Sequence, residues 1–433
     1  MRYTFYFLDI SLPLIVYFYF QSIRMKKLFE AFEKPNLTDW KTQLIKELKS
    51  ENSADPTAFE NEVEELIFTD IYTPTTPILT FNKPNSNDWK IGAEMQVVDI
   101  KLANQWALKQ LNLGANALNF DVTQLEDLIL SELLDGIETA YIYVYFTTIN
   151  QEQSELIRSW FSNKSPLFLH INTASNLVNT FQIDAIGGNA KQQLAFAFAQ
   201  GKALLTKNPT EPIHFVFGIG SNFLLEIAKF RAFHILWNSI QTACETHVKT
   251  YVTAKTGFVN KSLKDPYTNL LRQTTEGISA VVGVVDQLII QPYDLLATTG
   301  SSTFTERMAI NISLILKEEA EINQWIDPLE GSIVLDNYTK TLADEAWRLF
   351  QEIEAKGGME TSEAEVFLQE EITQTRTKRK LQLKENKYKI VGVNHYLNTE
   401  TSSLHWKNES QTFLGMYPLI LEQEFEKTLS DKI

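Results

Sequence analysis

The stretch Phe217–Trp237 reads FGIGSNFLLEIAKFRAFHILW. Its first four residues are a strand end running into a glycine-bearing turn. Ser221 or Asn222 can cap the helix that follows, because a short polar side chain accepts from the free N–H groups of a first turn. Leu224, Leu225, Ala228, Ala232, Ile235 and Leu236 recur at the i, i+3, i+4 and i+7 spacing of a buried helix face, and Glu226, Lys229 and Arg231 sit among them. A strand, a tight turn and a mostly apolar helix that carries charge make one unit of a repeating α/β architecture.

The alternation continues on both sides of this unit. Asn87–Asp99, Ala117–Phe120, Ala140–Phe146, Pro166–Ile171, Ile213–Phe217, Lys249–Ala254 and Leu288–Gln291 read as strands. Helical patterns lie between them. Asn104–Leu113 is one, with Ala103, Ala107, Leu108 and Leu111 on one face and Gly114 at its end. Strands alternating with helices over about 300 residues predict parallel β-structure with helical crossovers, and a closed (β/α)8 TIM-type barrel suits this length. An open doubly wound sheet is the alternative, although no Gly-x-Gly-x-x-Gly follows the first strand.

The totals bound the function classes. The chain has 433 residues, 44% apolar and 21% charged, the balance of a globular protein with a large core. A net charge of −15 argues against a nucleic-acid partner, which usually needs a basic face. The single cysteine, Cys244, excludes an internal disulfide and a Cys-based metal cluster, and a reducing cytoplasm is the simplest setting. The six histidines fall in no metal-ligand spacing, so no metal ligand is expected.

The two ends read differently from the centre. Residues 1–24 form an apolar leader, with an uncharged run between Asp9 and Arg24 that is too short to span a bilayer comfortably. We read it as upstream translated sequence with Met25 as the initiator; a membrane anchor or signal, tethering a binding protein, is the alternative. Residues 25–83 read as an N-terminal arm with helices at Asp39–Leu48 and Phe59–Leu66, broken at Pro74 and Pro77. Residues 84–385 are the expected barrel and 386–433 a short C-terminal tail. The basic run Arg376–Lys389 is read as a solvated helix face.

Beyond periodicity, the wording of the central stretch is specific. Gly218, Gly220, Asn222, Phe223, Glu226, Ile227, Ala228, Lys229, Arg231 and Ala232 match the pattern Gly-x-Gly-x-Asn-Phe-x-x-Glu-Ile-Ala-Lys-x-Arg-Ala. That pattern marks the barrel of the adenosylcobalamin-dependent acyl-CoA mutases, above all methylmalonyl-CoA mutase, which this chain resembles. Further matches follow in order: the Gln-Gln-Leu-Ala helix within Gln182–Phe196, the Asn-Lys-x-x-x-Asp-Pro-Tyr pattern of Asn260–Arg272, Glu306–Asn311 with Glu318-Glu319, and Asp327-Pro328 with Gly331-Ser332. Ile390–Tyr396 is similar to the strand after the family's barrel, so the resemblance covers about residues 25–400.

The resemblance implies chemistry that the residues do not carry. In active members a flavodoxin-like domain holds the cobalamin through an Asp-x-His-x-x-Gly motif, and the barrel channel takes the CoA chain. No His here has Asp two places before it, and fewer than about 40 residues follow Tyr396, too few for a domain. Active barrels carry Trp-x-Ile-Arg-Gln-Tyr-Ala-Gly, where this chain has Trp89–Gln96 with Gly92 in the place of Arg and Glu94 in that of Tyr. A carboxylate there would repel an anionic acyl group. The family's Arg-Thr-His-Cys-Gln-Thr strand is matched by Tyr251–Thr256, which lacks the His; His247 lies upstream and out of register, and His234 reads as a structural histidine on the apolar helix face. No catalytic residue and no cofactor-binding residue is therefore assigned.

What the resemblance implies is the small (beta) subunit of a heterodimeric methylmalonyl-CoA mutase, lacking a cobalamin-binding domain and itself inactive. It would stabilise a large subunit that holds the adenosylcobalamin and binds the acyl-CoA, in the cytoplasm, in propionate metabolism. The alternative is a barrel-only catalytic subunit that uses a separate cobalamin-binding protein. Gly92, Glu94 and the missing His favour the first.

Overall fold

The computed structural model describes residues 36–48, 58–68, 80–81, 83–398, 402–407 and 412–430. The apolar leader, Met25 and the breaks at Pro74 and Pro77 lie outside the described residues. The chain divides into two units between Ala58 and Phe59. In the first, Leu37–Leu48 is a helix opened by Asn36, whose Oδ1 accepts from Asp39 N at 2.8 Å.

The second unit begins with a hairpin of β1 (Phe59–Asn61) and β2 (Leu66–Phe68). This corrects the helix expected at Phe59–Leu66. Leu66 and Phe68 alternate with exposed Ile67, a period of two that suits a strand and not a helix. Both join the core behind the barrel, where Phe68 stacks on Tyr338 at 4.0 Å. Burying two such side chains stabilises the attachment by about 1.5–3 kcal/mol each.

Eight parallel strands follow: β3 (Lys90–Gln96), β4 (Ala117–Asp121), β5 (Tyr143–Thr147), β6 (Phe168–Asn172), β7 (Leu177–Asn179), β8 (Ile213–Ile219), β9 (Thr250–Thr256) and β10 (Gln287–Ile289). Their order around the sheet is β6-β5-β4-β3-β10-β9-β8-β7, so the first barrel strand pairs with the last and the (β/α)8-type barrel expected from the sequence is nearly closed. The eighth strand, β7, was not legible, being only three residues long. It is separated from β6 by the turn 173–176, too short for a helical crossover between neighbouring parallel strands. This is the seam of the barrel. Side chains bridge it: Asn176 Nδ2 donates to Ile171 O at 2.9 Å, and His214 Nδ1 lies 2.9 Å from Asn172 Oδ1.

The central helix spans Phe223–Ala243, and of its two candidate caps Asn222 is the one used, accepting from Leu225 N. Phe215 and Phe217 of β8 point out to this helix and meet Phe233 at 4.9 and 5.0 Å. The charges inside the helix are buried and matched. Lys229 donates to Gly218 O at 2.5 Å and pairs with Glu226. Arg231, 1% exposed, is held by Asp336 at 2.8 Å and Asp327 at 3.4 Å. Burial pushes the Asp327 carboxyl up against the pull of Arg231.

Two further expectations are corrected. Ile390–Tyr396 is a tight turn, not a strand: Val393 N donates to Ile390 O and Gly392 N to His395 O, with Gly392 at φ 79°. The basic run is not simply a solvated face. In the helix Ser362–Lys384, Lys378 pairs with Glu65 of the hairpin and Lys380 with Glu424 at 2.8 Å. Arg376 donates to Ile186 O and Tyr417 O, and Arg379 donates to Gly188 O. Acidic residues of the hairpin and the C-terminal helix Leu421–Ser430 give the run partners that its local sequence does not contain.

Arg231→Met should leave buried Asp336 without its cation and Asp327 with Lys83 alone, and lower the unfolding free energy by about 3–5 kcal/mol, read from the urea midpoint. Lys340→Ala, which removes an exposed i,i+4 pair with Asp344, should change it by less than about 0.5 kcal/mol. Equal midpoints for the two variants would contradict the role given to Arg231.

Candidate functional site

Strand alternation decides which side chains enter the barrel. In β8, Phe215 and Phe217 face the helices, so His214, Val216 and Gly218 face the lumen. Register carries the same row across the sheet: Glu94, Asn119, Tyr145 and His170 are successive partners on β3 to β6. His214 pairs with Tyr251, and Thr253 with Gln287.

These residues meet across the barrel axis. The ring of Tyr145 lies 5.4 Å from His214, although β5 and β8 are not neighbours. His170 lies 5.5 Å from His214 and 5.0 Å from Tyr251, and Phe168 lies 5.1 Å from Tyr251. A polar chain crosses the same layer. Asn172 is bonded to His214 Nδ1, His214 Nε2 lies 2.8 Å from Thr253 Oγ1, and Thr253 Oγ1 donates to Gln287 Oε1 at 2.8 Å. Burial pushes His214 well below the usual imidazole range and His170 down to about 4, so both stand neutral at pH 7. Tyr145 is raised by burial, then by Asp286.

Above this layer, at the C-terminal ends of the strands, lies a cavity of about 600 Å³. That end is where the active sites of such barrels are built. Glu94, Gln96, Asp121, Asn179, Lys255 and Gln291 border it. Phe413 and Leu419 of the C-terminal segment form part of its wall, and Leu419 N donates to Ala185 O at 2.8 Å.

The residues singled out in the sequence fall as follows. Glu94 borders the cavity but is not a bare carboxylate: Lys255 pairs with it. Gly92 faces the axis, and a Cβ there would lie 2.7 Å from Ile289 Cγ1 and 2.8 Å from Gln287 Nε2, so the space that an arginine stem would need is taken. Thr253 occupies the third place of the strand Tyr251–Thr256, where the pattern has His, and it is bonded into the polar chain. His247 is exposed and precedes β9. His234 Nε2 lies 2.8 Å from Val284 O and the ring stacks on Phe81, as a structural histidine does. Glu318 and Glu319 are both exposed in the π-turn Ile315–Glu319, remote in kind from an acid–base pair. His170 and His214 were not legible as site residues. The signal was the alternation in IHFVFGI and FLHIN, which sets each histidine opposite the apolar face. Among the described residues no group of three or more His, Cys, Asp or Glu side chains could hold a metal ion, and no helix is long and apolar enough to cross a membrane.

Comparison with known proteins agrees with the geometry. A family model described as methylmalonyl-CoA mutase matches residues 115–413. The methylmalonyl-CoA mutase small subunit of Porphyromonas gingivalis is 35% identical over 236 residues, 51% of this chain and 38% of that protein. The methylmalonyl-CoA mutase of Rhizobium meliloti is 32% identical over 234 residues, 51% of this chain and 32% of that protein. A probable methylmalonyl-CoA mutase small subunit of Mycobacterium tuberculosis is 29% identical over 228 residues, 49% of this chain and 37% of that protein. The matched region thus spans less than two fifths of the length of each of these relatives.

The buried histidines predict acid lability. His170 has a depressed folded pKa of about 4 against an ordinary 6.5, so its contribution is present above pH 6.5 and is lost as pH falls towards 4. From pH 7 to pH 5 that loss is about 1–2 kcal/mol. His170→Gln should therefore show a shallower fall in unfolding free energy over this range than the parent. An identical pH slope for the two would refute the assignment.

Proposed function

This chain belongs to the methylmalonyl-CoA mutase family, and on that footing we propose that it is the non-catalytic small subunit of a heterodimeric, adenosylcobalamin-dependent methylmalonyl-CoA mutase. It acts by binding and stabilising the catalytic large subunit. The complex interconverts methylmalonyl-CoA and succinyl-CoA in the cytoplasm, and the large subunit holds both cobalamin and acyl-CoA.

The observation that carries this reading is the filled barrel axis. A channel that takes an extended CoA chain must be free along its length, whereas here Tyr145, His170, His214 and Tyr251 meet within it. Opening it would mean breaking a hydrogen-bonded polar chain inside a packed layer, and each buried group left unsatisfied would cost about 1–3 kcal/mol. Gly92 and Thr253 support the same reading, since neither offers the family's Arg or His functional group. Two of the relatives are themselves named as small subunits. Cobalamin would supply the radical when bound to the partner. In this chain Lys255 is engaged by Glu94, and burial holds His170 and His214 of the lumen neutral.

The N-terminal arm, residues 25–83, is the segment proposed to contribute to the contact with the large subunit. Within it the hairpin from Phe59 is fixed to its own barrel, so the residues proposed to reach the large subunit are 25–58. A permanent interface of this kind buries on the order of 2,000 Å² or more, and binding only the folded state raises the apparent stability of both chains.

The purified chain should leave the absorption spectrum of adenosylcobalamin unchanged on titration and should not isomerise methylmalonyl-CoA. Co-expressed with the large subunit of its own host, it should elute as a 1:1 complex whose melting temperature exceeds that of either chain. Deleting residues 25–58 should weaken the complex. Turnover by this chain with a separate cobalamin-binding protein would favour the barrel-only catalytic reading instead. Separate elution of the two chains at micromolar concentration would overturn the partnership.

A further inference from the structure

One wall of the cavity is attached differently from the others. Residues 412–424 cross the loops after β7 and β9, where Leu419 N donates to Ala185 O at 2.8 Å and Leu421 N to Val259 O at 3.1 Å. Thr412, Phe413, Pro418 and Leu419 of this segment border the cavity. Near its start the segment turns back on itself. Phe413 N donates to Met416 O at 3.0 Å, and Leu414 and Gly415 lie in the left-handed region at φ 48° and 67°.

The polar anchorage of the segment is concentrated at Glu422, which is 2% exposed. Its carboxylate accepts from Leu263 N at 2.9 Å, Lys264 N at 3.2 Å and Trp406 Nε1 at 2.7 Å, and is also bonded to Ser262 Oγ. Arg376 donates to Tyr417 O at 3.0 Å, and Lys380 pairs with Glu424 at 2.8 Å. None of these partners lies on a barrel strand. The apolar anchorage is equally separate. Leu419 and Leu421 are buried with Val259, Leu383, Ile390 and Val393 in a small cluster of their own, apart from the two clusters that pack the barrel against its helices. Phe413, Leu414 and Met416 touch the larger core, but all three are only partly buried. An element held by a satellite cluster and one polar anchor opens at lower free energy than the core, and as one cooperative piece.

We propose that residues 412–424 are a strap, latched by Glu422, that lifts as a unit from an intact barrel and so gates the cavity at the C-terminal ends of the strands. Access through this wall is then set by the opening equilibrium of the strap and not by unfolding. The latch works because its carboxylate is the shared acceptor of several buried N–H groups. Weakening that acceptor leaves them poorly satisfied only while the strap is down, which favours the lifted state. The inference does not depend on whether this chain is catalytic.

The test is native-state hydrogen exchange of the full chain, read by mass spectrometry, together with thiol labelling. In the parent, the amides of Leu419 and Leu421 should have protection factors at least about tenfold lower than those of β8. Val259, 7% exposed, lies under the strap and follows Phe258 of the cavity wall. In a Cys244→Ser background, Val259→Cys should react slowly with a water-soluble maleimide, at the rate set by strap opening. Glu422→Gln keeps the shape of the side chain and should speed both exchange of the strap and labelling about tenfold, with exchange in β8 unchanged. Strap amides that exchange only in step with β8 in the parent would overturn the proposal, and that comparison needs no variant to fold. An unchanged labelling rate in a folded Glu422→Gln protein, or exchange that rises equally in the strap and in β8, would overturn it as well.

Discussion

A buried guanidinium ties the barrel to the helices behind it. Arg231 lies inside the central helix, almost without solvent, and its two carboxylates come from residues 96 and 105 positions later in the chain. A charge in that position is tolerable only with its partners in place. The turn carrying Asp327 and the helix Ile333–Ala355 are therefore constrained relative to β8. Lys229, two residues earlier, does the same over a shorter range by gripping Gly218 O at the strand end. A second buried pair, Lys261 with Glu276 at 2.7 Å, repeats the device after β9. Burial alone would push Lys261 down, and Glu276 opposes it. These matched charges explain how a mostly apolar helix can carry Glu226, Lys229 and Arg231 among its buried residues.

The same principle shapes the periphery. Glu422, 2% exposed, accepts from Leu263 N at 2.9 Å and Trp406 Nε1 at 2.7 Å, and its carboxylate is also bonded to Ser262 Oγ. The C-terminal segment is thereby fixed to the loop after β9, next to the cavity whose wall it helps to form. On the other flank the hairpin is secured by Glu64, which accepts from Ala190 N at 2.8 Å, and by Glu65, which pairs with Lys191 at 2.7 Å. Net negative charge is spread over the chain, but the buried cations gather where segments distant in sequence must meet.

The lumen follows a different rule. Inward-facing positions of an eight-stranded barrel are wide enough to be filled by side chains, and here they are filled by aromatic and imidazole rings joined by hydrogen bonds. That layer separates the cavity at the C-terminal ends from the opposite end of the barrel. It also bridges the seam between β6 and β7, where no ladder runs, so the residues that close the axis also close the barrel.

The sequence by itself determined the architecture and the family. Period-two strands, period-3.6 helices and the Gly218–Ala232 motif are local patterns, and local patterns survive being read one residue at a time. Asn222 as a cap and His234 as a structural histidine were legible for the same reason. Only the tertiary structure decided what fills the barrel and which of its charges are paired. Tyr145, His170, His214 and Tyr251 come from strands separated by helices of different lengths, and their meeting depends on register and on the closing of the sheet. Glu94 reads as an unpaired carboxylate along the chain, but it is paired because β9 brings Lys255 beside it from 161 residues away. Phe59–Leu66 read as a helix because Phe59, Val63 and Leu66 fall at i, i+4 and i+7, and the core beneath Leu66 and Phe68 made it a hairpin. Electrostatic and packing partners are properties of distance in space, which a sequence fixes only through the complete fold.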